Sequence, residues 1–275
     1  MRHMICVLAV AGLLAGGGCG SAGRNTEKPS KAATTSMVET TRSGAGADVP
    51  VRVYFVRADK VATAGRNVAR NRRFEQAMQA LLAGPDDFER GIGMTTEIPA
   101  GTNLLGLDVV DTAATVNLSH GFQSDGAGPA SSLAMRQRIA EVVFTLTQFE
   151  HVERVTITAE GRPIAGAADL TRSDLEAVTP QILVESPVPG QSVVSPLRVS
   201  GIAHVFEGTV SYSVKDSAGL VLRDGFTTAS TGSGDFSFTA TYGTQRTGLG
   251  SVIVWQTSME DGSHLNVYEV PVILG

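Results

Sequence analysis

Cysteine is scarce in this chain of 275 residues: there are two, Cys6 and Cys19. No C-x-x-C pair occurs, and His120, His151, His204 and His264 are scattered with no pair at i, i+4, so a zinc site has no ligand set to start from. Aromatic residues make up 5% of the chain, with a single tryptophan at Trp255. Basic charge is also short, since 22 Lys and Arg against 27 Asp and Glu give a formal net charge of −5. A mildly acidic chain lacks the basic footprint that nucleic-acid binding needs. Long apolar runs are missing too. The longest, Met4 to Ala15, falls short of the roughly 20 residues a membrane-spanning helix requires.

That short run nevertheless has a meaning. Arg2 and His3 precede it and Gly16-Gly17-Gly18 follow it, which is the pattern of a secretory signal over residues 1–18. Cys19 stands directly behind the small residues, and this placement predicts lipid attachment there. Lipoprotein signals usually carry Leu three residues before the cysteine, whereas Gly16 occupies that position here. Cleavage by the ordinary signal peptidase and an uncleaved anchor remain the alternatives. Removal of residues 1–18 would take Cys6 away, leave no intramolecular disulfide, and shift the formal charge from −5 to −6 with the loss of Arg2. The expected location is the outer face of the cytoplasmic membrane, by way of the lipid.

Residues 19–49 are polar and small, with too little apolar surface to offset the entropy of ordering, and read as a flexible tether. A folded part is expected from there. Val51 to Val56 suits a strand. Phe74, Ala77, Met78, Leu81 and Leu82 lie on one helical face, and Gly84-Pro85 ends that helix. Strands at Leu104 to Val110 and Thr115 to Leu118, a helix from about Ala130 to Phe149, and a strand at Val155 to Ala159 complete an α+β domain over residues 50–164. The order is βαββαβ, with both helices on one face of a small sheet.

Four blocks in that domain carry a family resemblance: Ala80-Leu81-Leu82-Ala83-Gly84-Pro85, Ile98-Pro99-Ala100-Gly101-Thr102, Val116-Asn117-Leu118-Ser119 and Thr145-Leu146-Thr147-Gln148-Phe149. Together they resemble the GerMN domain of sporulation and spore-germination proteins. Asn117 stands where the family often has Asp. The resemblance implies an envelope-associated assembly or interaction domain, related in shape to modules that build rings in secretion systems.

Residues 165–180 carry short polar and small side chains before Pro180 and read as a linker. Beyond them the helical period disappears. Seven strands are expected, at Gln181 to Glu185, Leu197 to His204, Thr209 to Lys215, Leu220 to Phe226, Asp235 to Tyr242, Ser251 to Thr257 and Leu265 to Leu274. Strands of this number and spacing predict an immunoglobulin-like β-sandwich over residues 181–275, in which Trp255 packs without a disulfide. Ser186-Pro187-Val188-Pro189-Gly190, Ser195-Pro196, Val199-Ser200-Gly201-Ile202-Ala203, Val205-Phe206-Glu207-Gly208 and Val270-Pro271-Val272 resemble the immunoglobulin-like domain of bacterial spore-germination proteins.

Catalytic signatures are missing. There is no G-x-S-x-G elbow and no S-x-x-K box. The stretch Gly243 to Gly248 has Leu249 where a phosphate loop needs Lys, and Gly91-Ile92-Gly93 lacks its third glycine because Thr96 is there. A calcium loop begun at Asp125 would put Arg136 at its twelfth position, where a bidentate Glu is needed. Neither a cofactor nor a metal is expected. Asp86, Asp87 and Glu89, and Asp108 with Asp111, are the paired carboxylates. They read as acid/base candidates on a wall sugar, or as a polar loop and a solvated hairpin end. Arg66, Arg70, Arg72 and Arg73 form the one basic cluster, able to meet anionic headgroups or wall polymers, or to be a solvated lead-in to the helix. Glu207 is a candidate binding residue at a strand end, with Phe206 expected in the sandwich core. The sequon at Asn117 lies at a strand end and reads as coincidence.

These features predict a non-catalytic, lipid-anchored envelope protein that mediates protein–protein assembly. Its partner would be an envelope protein or a wall polymer, with homo-oligomer formation open. A wall-directed enzyme accessory, or a carbohydrate- or peptidoglycan-binding protein, is the alternative.

Overall fold

The computed structural model describes residues 48–123, 132–243 and 247–275. The signal, Cys19, the tether up to residue 47, Ala130 at the expected helix start and Asp125 of the calcium-loop test lie outside the described residues, as do residues 244–246.

The first described strand, β1 (Asp48–Arg57), starts earlier than the expected Val51. Its partner is the strand β2 (Lys60–Ala69), antiparallel and in continuous register from Asp48↔Ala69 to Arg57↔Lys60. Ala58 and Asp59 join them, both in the left-handed region that a two-residue hairpin of matching twist requires. The stretch Lys60 to Ala69 carries no expected element, and within it only Arg66 is read, with a basic cluster or a solvated lead-in to the helix. The stretch is a strand, made of small residues without clean alternation. The reason lies in its surroundings, because this ribbon is covered on both faces. Val53, Tyr54, Phe55 and Val56 are all buried, as are Val61, Ala62, Thr63 and Ala64. A strand with two dry faces shows an apolar or small run, not a period of two.

A short 3-10 turn leads to α1 (Arg73–Leu82), which buries Ala77, Met78 and Leu81. Gly84, with φ +80, lets the chain leave the helix. Asp86 then caps the short α2 (Asp87–Gly91) in a capping box with Glu89. Strands β3 (Leu104–Val110) and β4 (Ala113–Leu118) form a hairpin; α3 (Leu133–Leu146) crosses over to β5 (Arg154–Ala159), parallel to β4, and β6 (Arg162–Pro163) adds an edge. The sheet order is β3-β4-β5-β6, so β1 does not join it. The single small sheet of the expected βαββαβ order is thus corrected to a separate ribbon and a four-stranded sheet. Helices α1 and α3 pack on each other, on the ribbon and on strands β3 and β5.

Residues 165–180 do not form a free linker. Thr171 and Asp174 cap a run of 3-10 turns over Arg172–Val178, and Ala167, Leu175 and Val178 are buried, with the turns packed on α3. The sandwich follows: β7 (Ile182–Ser186), β8 (Ser192–Val193), β9 (Leu197–Ala203), β10 (Thr209–Asp216), β11 (Val221–Thr228), β12 (Asp235–Ala240), β13 (Gly248–Thr257) and β14 (His264–Leu274). One sheet runs β11-β10-β13-β14-β8 and the other β12-β9-β7. All seven expected strands occur, and β8 is an addition too short to show a pattern. Gly201 is needed where β9 meets β7, because a Cβ there would lie 2.1 Å from the Leu183 carbonyl oxygen. All described residues fall in one compact unit.

Glu141 of α3 is fully buried beneath the loop that carries Ile98-Pro99. Its carboxyl accepts from Thr96 Oγ1 at 2.6 Å and from the Glu97 amide at 2.7 Å. Burial outweighs these two bonds and pushes the carboxyl up to about 8 from the ordinary 4.5. A folded-state value above the unfolded one favours folding fully below about 4.5, and that contribution fades as pH rises toward 8. Urea midpoints measured from pH 5 to pH 9 should therefore fall in the native chain across that window. The slope should be largely absent in Glu141→Gln, whose amide oxygen can still accept from the Glu97 amide while its NH2 faces Thr96 Oγ1, and which cannot ionise.

Candidate functional site at the domain junction

The outer edge of β1 would be a row of unpaired amides were it not met by side chains. Gln148 accepts from the Arg52 amide at 2.5 Å and donates to the Arg52 carbonyl. Thr145 Oγ1 accepts from the Tyr54 amide at 3.1 Å. Val56 exchanges both of its backbone bonds with Thr95, at 2.8 Å each. The Thr145 to Phe149 block thus has a physical role: three residues apart at the end of α3, Thr145 and Gln148 reach the same edge.

Register decides which side chains face which layer, since directly paired residues share a face. Arg52 with Gly65, and Tyr54 with Thr63, point toward the sandwich; Val51 with Arg66, and Phe55 with Ala62, point the other way. Gly65 admits Val188 so closely that a Cβ would sit 2.5 Å from its Cγ2. Tyr268 OH accepts from the Thr63 amide at 3.4 Å, while Arg57 lies 4.8 Å above the Tyr268 ring and donates to the Glu269 carbonyl at 3.1 Å.

Glu185 of β7 sits at the centre. Its Oε1 accepts from Tyr54 OH and from Arg172 Nη1, the latter at 2.7 Å. Arg172 also donates from Nε to Thr147 Oγ1 at 2.8 Å and lies 4.7 Å over the Phe144 ring. Burial alone would raise the Glu185 carboxyl, but the Arg172 and Arg52 charges and the two hydrogen bonds overcome it and hold the group below its ordinary range. The Tyr54 phenol is pushed well above its ordinary value, first by burial and then by the Glu185 charge, so it remains a neutral donor. One ionised carboxylate therefore ties together the ribbon, the segment read as a linker, and the sandwich.

Beside this anchor a cleft of about 950 Å³ opens between the ribbon and the loop after β7. It brings together Arg66, Arg70 and Arg73 of the predicted cluster, together with Arg52; Arg72 is exposed and lies outside its lining. Arg66 is committed, with Nη1 2.5 Å and Nη2 2.8 Å from the two oxygens of buried Glu89. Arg73 stacks at 4.8 Å on Phe74 and 5.8 Å on Phe149. The predicted acid/base group is used elsewhere. Asp86 caps α2, Glu89 holds Arg66 and the Asp86 amide, and Asp87 pairs with Arg90 on the surface at 2.6 Å. Asp108 and Asp111 are exposed at the β3–β4 hairpin.

Glu207 lies apart from the cleft, in the turn between β9 and β10 with φ +54. Phe206 does not enter the core: it is 65% exposed, because the turn at Glu207-Gly208 directs it outward. Trp255 is only half-buried and stacks on His264 at 4.2 Å. Asn117 Oδ1 accepts from the Gly161 amide at 2.7 Å and is engaged inside the sheet. Among the described residues no cluster of His, Cys, Asp and Glu could hold a metal ion, and no helix is long and apolar enough to cross a membrane.

The chain is thus a two-part protein, an α/β module welded to an immunoglobulin-like sandwich. Its first part, residues 52–165, belongs to the Germane family, described as sporulation and spore germination, and residues 181–263 belong to the Gmad2 family, the immunoglobulin-like domain of bacterial spore germination. No curated protein matches the chain. Similar solved structures include a chain described as a lipoprotein from Clostridium perfringens, at 19% identity over 48% of this chain and 93% of that one, with a TM-score of 0.33. The first GerMN domain of the sporulation protein GerM from Bacillus subtilis matches at 18% identity over 46% and 98%, with a TM-score of 0.35. Its tandem GerMN domains match at 14% over 83% of this chain and 61% of theirs, with a TM-score of 0.37.

Arg172→Ala should cost about 1–3 kcal/mol, because it leaves the largely enclosed Glu185 carboxylate with only the Tyr54 hydrogen bond and the more distant Arg52 charge. Combining it with Glu185→Ala should cost clearly less than the sum of the two single changes, as measured by urea denaturation of all four proteins.

Proposed function

We propose that this chain is a non-catalytic, lipid-anchored protein of the cell envelope that mediates protein–protein assembly. The observation that carries this reading is the fate of its ionisable groups. Asp86 caps a helix, Glu89 holds an arginine, Asp87 pairs with Arg90 on the surface, Asp108 and Asp111 are exposed on a hairpin, and Glu185 anchors the junction, which leaves a joined pair of interaction domains. Membership of two sporulation and germination families supports the same reading. The partner is an envelope protein or a wall polymer. Cys19 carries the lipid and keeps the domains at the outer face of the cytoplasmic membrane, with residues 20–47 between anchor and fold.

Fractionation tests the anchor. The native chain should follow the membrane and Cys19→Ala should appear in the soluble exported fraction; retention of the variant on the membrane would refute the lipid. Crosslinked capture from native membranes, with the eluate sized by light scattering, tests assembly. A defined complex is the expected result, and a monomer without partners would count against it, as would turnover of wall glycans by the purified protein.

A further inference from the structure

We propose that the cleft between the ribbon and the sandwich is a binding site for a phosphate group, held by Arg52, Arg70 and Arg73. This deepens the assembly reading, because it names a ligand class for the junction. The first observation is unspent donors. Among the described residues neither Arg70 nor Arg73 has an ion pair. Arg73 is positioned by its stacking on Phe74 and Phe149, which uses the face of the guanidinium and leaves its N–H edge available. The Arg52 guanidinium makes no hydrogen bond either: Nε is buried without a partner and Nη2 stands 4.0 Å from Glu185 Oε2.

The second observation is what the cleft's own carboxylates do. Glu185 is held on Oε1 by Tyr54 and Arg172 and faces Arg52 through Oε2 at 4.0 Å, and Asp86 accepts from the Glu89 amide at 2.8 Å as a helix cap. Only Glu150, exposed at the rim, is not engaged by a cap or an arginine. Three guanidinium groups with free donors around one cavity suit an anion with more than two acceptor oxygens, so a phosphate fits better than a carboxylate. The volume of about 950 Å³ leaves room for the rest of a phosphate-bearing molecule. Such a phosphate could belong to a lipid headgroup or to a soluble or wall-borne phosphoester.

Isothermal titration of the full chain in detergent with inorganic phosphate and with glycerol phosphate tests the site, with glutarate as the carboxylate probe. Binding of both phosphates should weaken at least about tenfold in the Arg70→Gln/Arg73→Gln double variant. It should also weaken as salt rises, tighten in Glu150→Gln, and stay unchanged in Arg198→Gln, which is outside the cleft's lining. Equal affinity in the double variant, no binding to the native chain, or glutarate binding as tightly as phosphate would overturn the proposal. Co-sedimentation of the Cys19→Ala chain with phosphatidylglycerol but not phosphatidylcholine vesicles, lost when the double change is added, would assign the phosphate to a lipid headgroup. Binding of glycerol phosphate without that retention would assign it to a soluble or wall phosphoester. None of these readouts needs Cys19 or a protein partner. A failed titration beside intact partner capture would therefore sink the cleft alone.

Discussion

The ribbon of β1 and β2 can be stable only because every side of it is covered. A two-stranded hairpin alone is marginal in water, and this one carries Val53, Tyr54, Phe55 and Val56 in a row. Helices α1 and α3 pack on the ribbon, one face meets the sandwich, and the outer edge of β1 is closed by Thr145, Gln148 and Thr95. Neither half of the chain is finished without the other. A Germane domain cut off after residue 165 would expose Tyr54 and Thr63 to water, and an isolated sandwich would leave Glu185 without Tyr54 or Arg172.

Glu185 makes that dependence electrostatic as well as apolar. A carboxylate taken largely out of water needs to be paired and hydrogen-bonded, and here the partners come from 13 and 131 residues away in the chain. The junction cannot loosen at one contact without stranding this charge. The cleft beside it is a consequence of the same architecture: the ribbon carries Arg52 to its lining, as the turn after β2 carries Arg70 and the start of α1 carries Arg73. Its shape is fixed as firmly as the junction is.

Much of this was legible in the residues. The period of Phe74, Ala77, Met78 and Leu81, the stop at Gly84-Pro85 and the alternation of Val210, Tyr212 and Val214 each report a local structure, and each forms where expected. The short blocks that mark the two families can now be read physically, with Gln148 as an edge cap and Pro189-Gly190 as a loop seated against Phe88. What escaped was non-local. Lys60 to Ala69 has no strand period because both its faces are dry, and Arg172 lies in a polar stretch that looks like a linker until its partners are placed around it. Phe206 was assigned to the core from its chemistry, but the left-handed backbone at Glu207 turns it outward. Part of the site was visible as a basic cluster. Sequence proximity grouped Arg66 and Arg72 with it, whereas the fold commits Arg66 to Glu89, leaves Arg72 outside, and adds Arg52.

The central claim is that the two family domains form one cooperative body through the ribbon. Differential scanning calorimetry of the folded chain measures this most directly, because it compares the calorimetric enthalpy with the van't Hoff enthalpy. A single transition with the two enthalpies equal is the predicted result. Two transitions, or one whose calorimetric enthalpy is about twice the van't Hoff value, would mean that the domains melt independently and that the junction does not weld them.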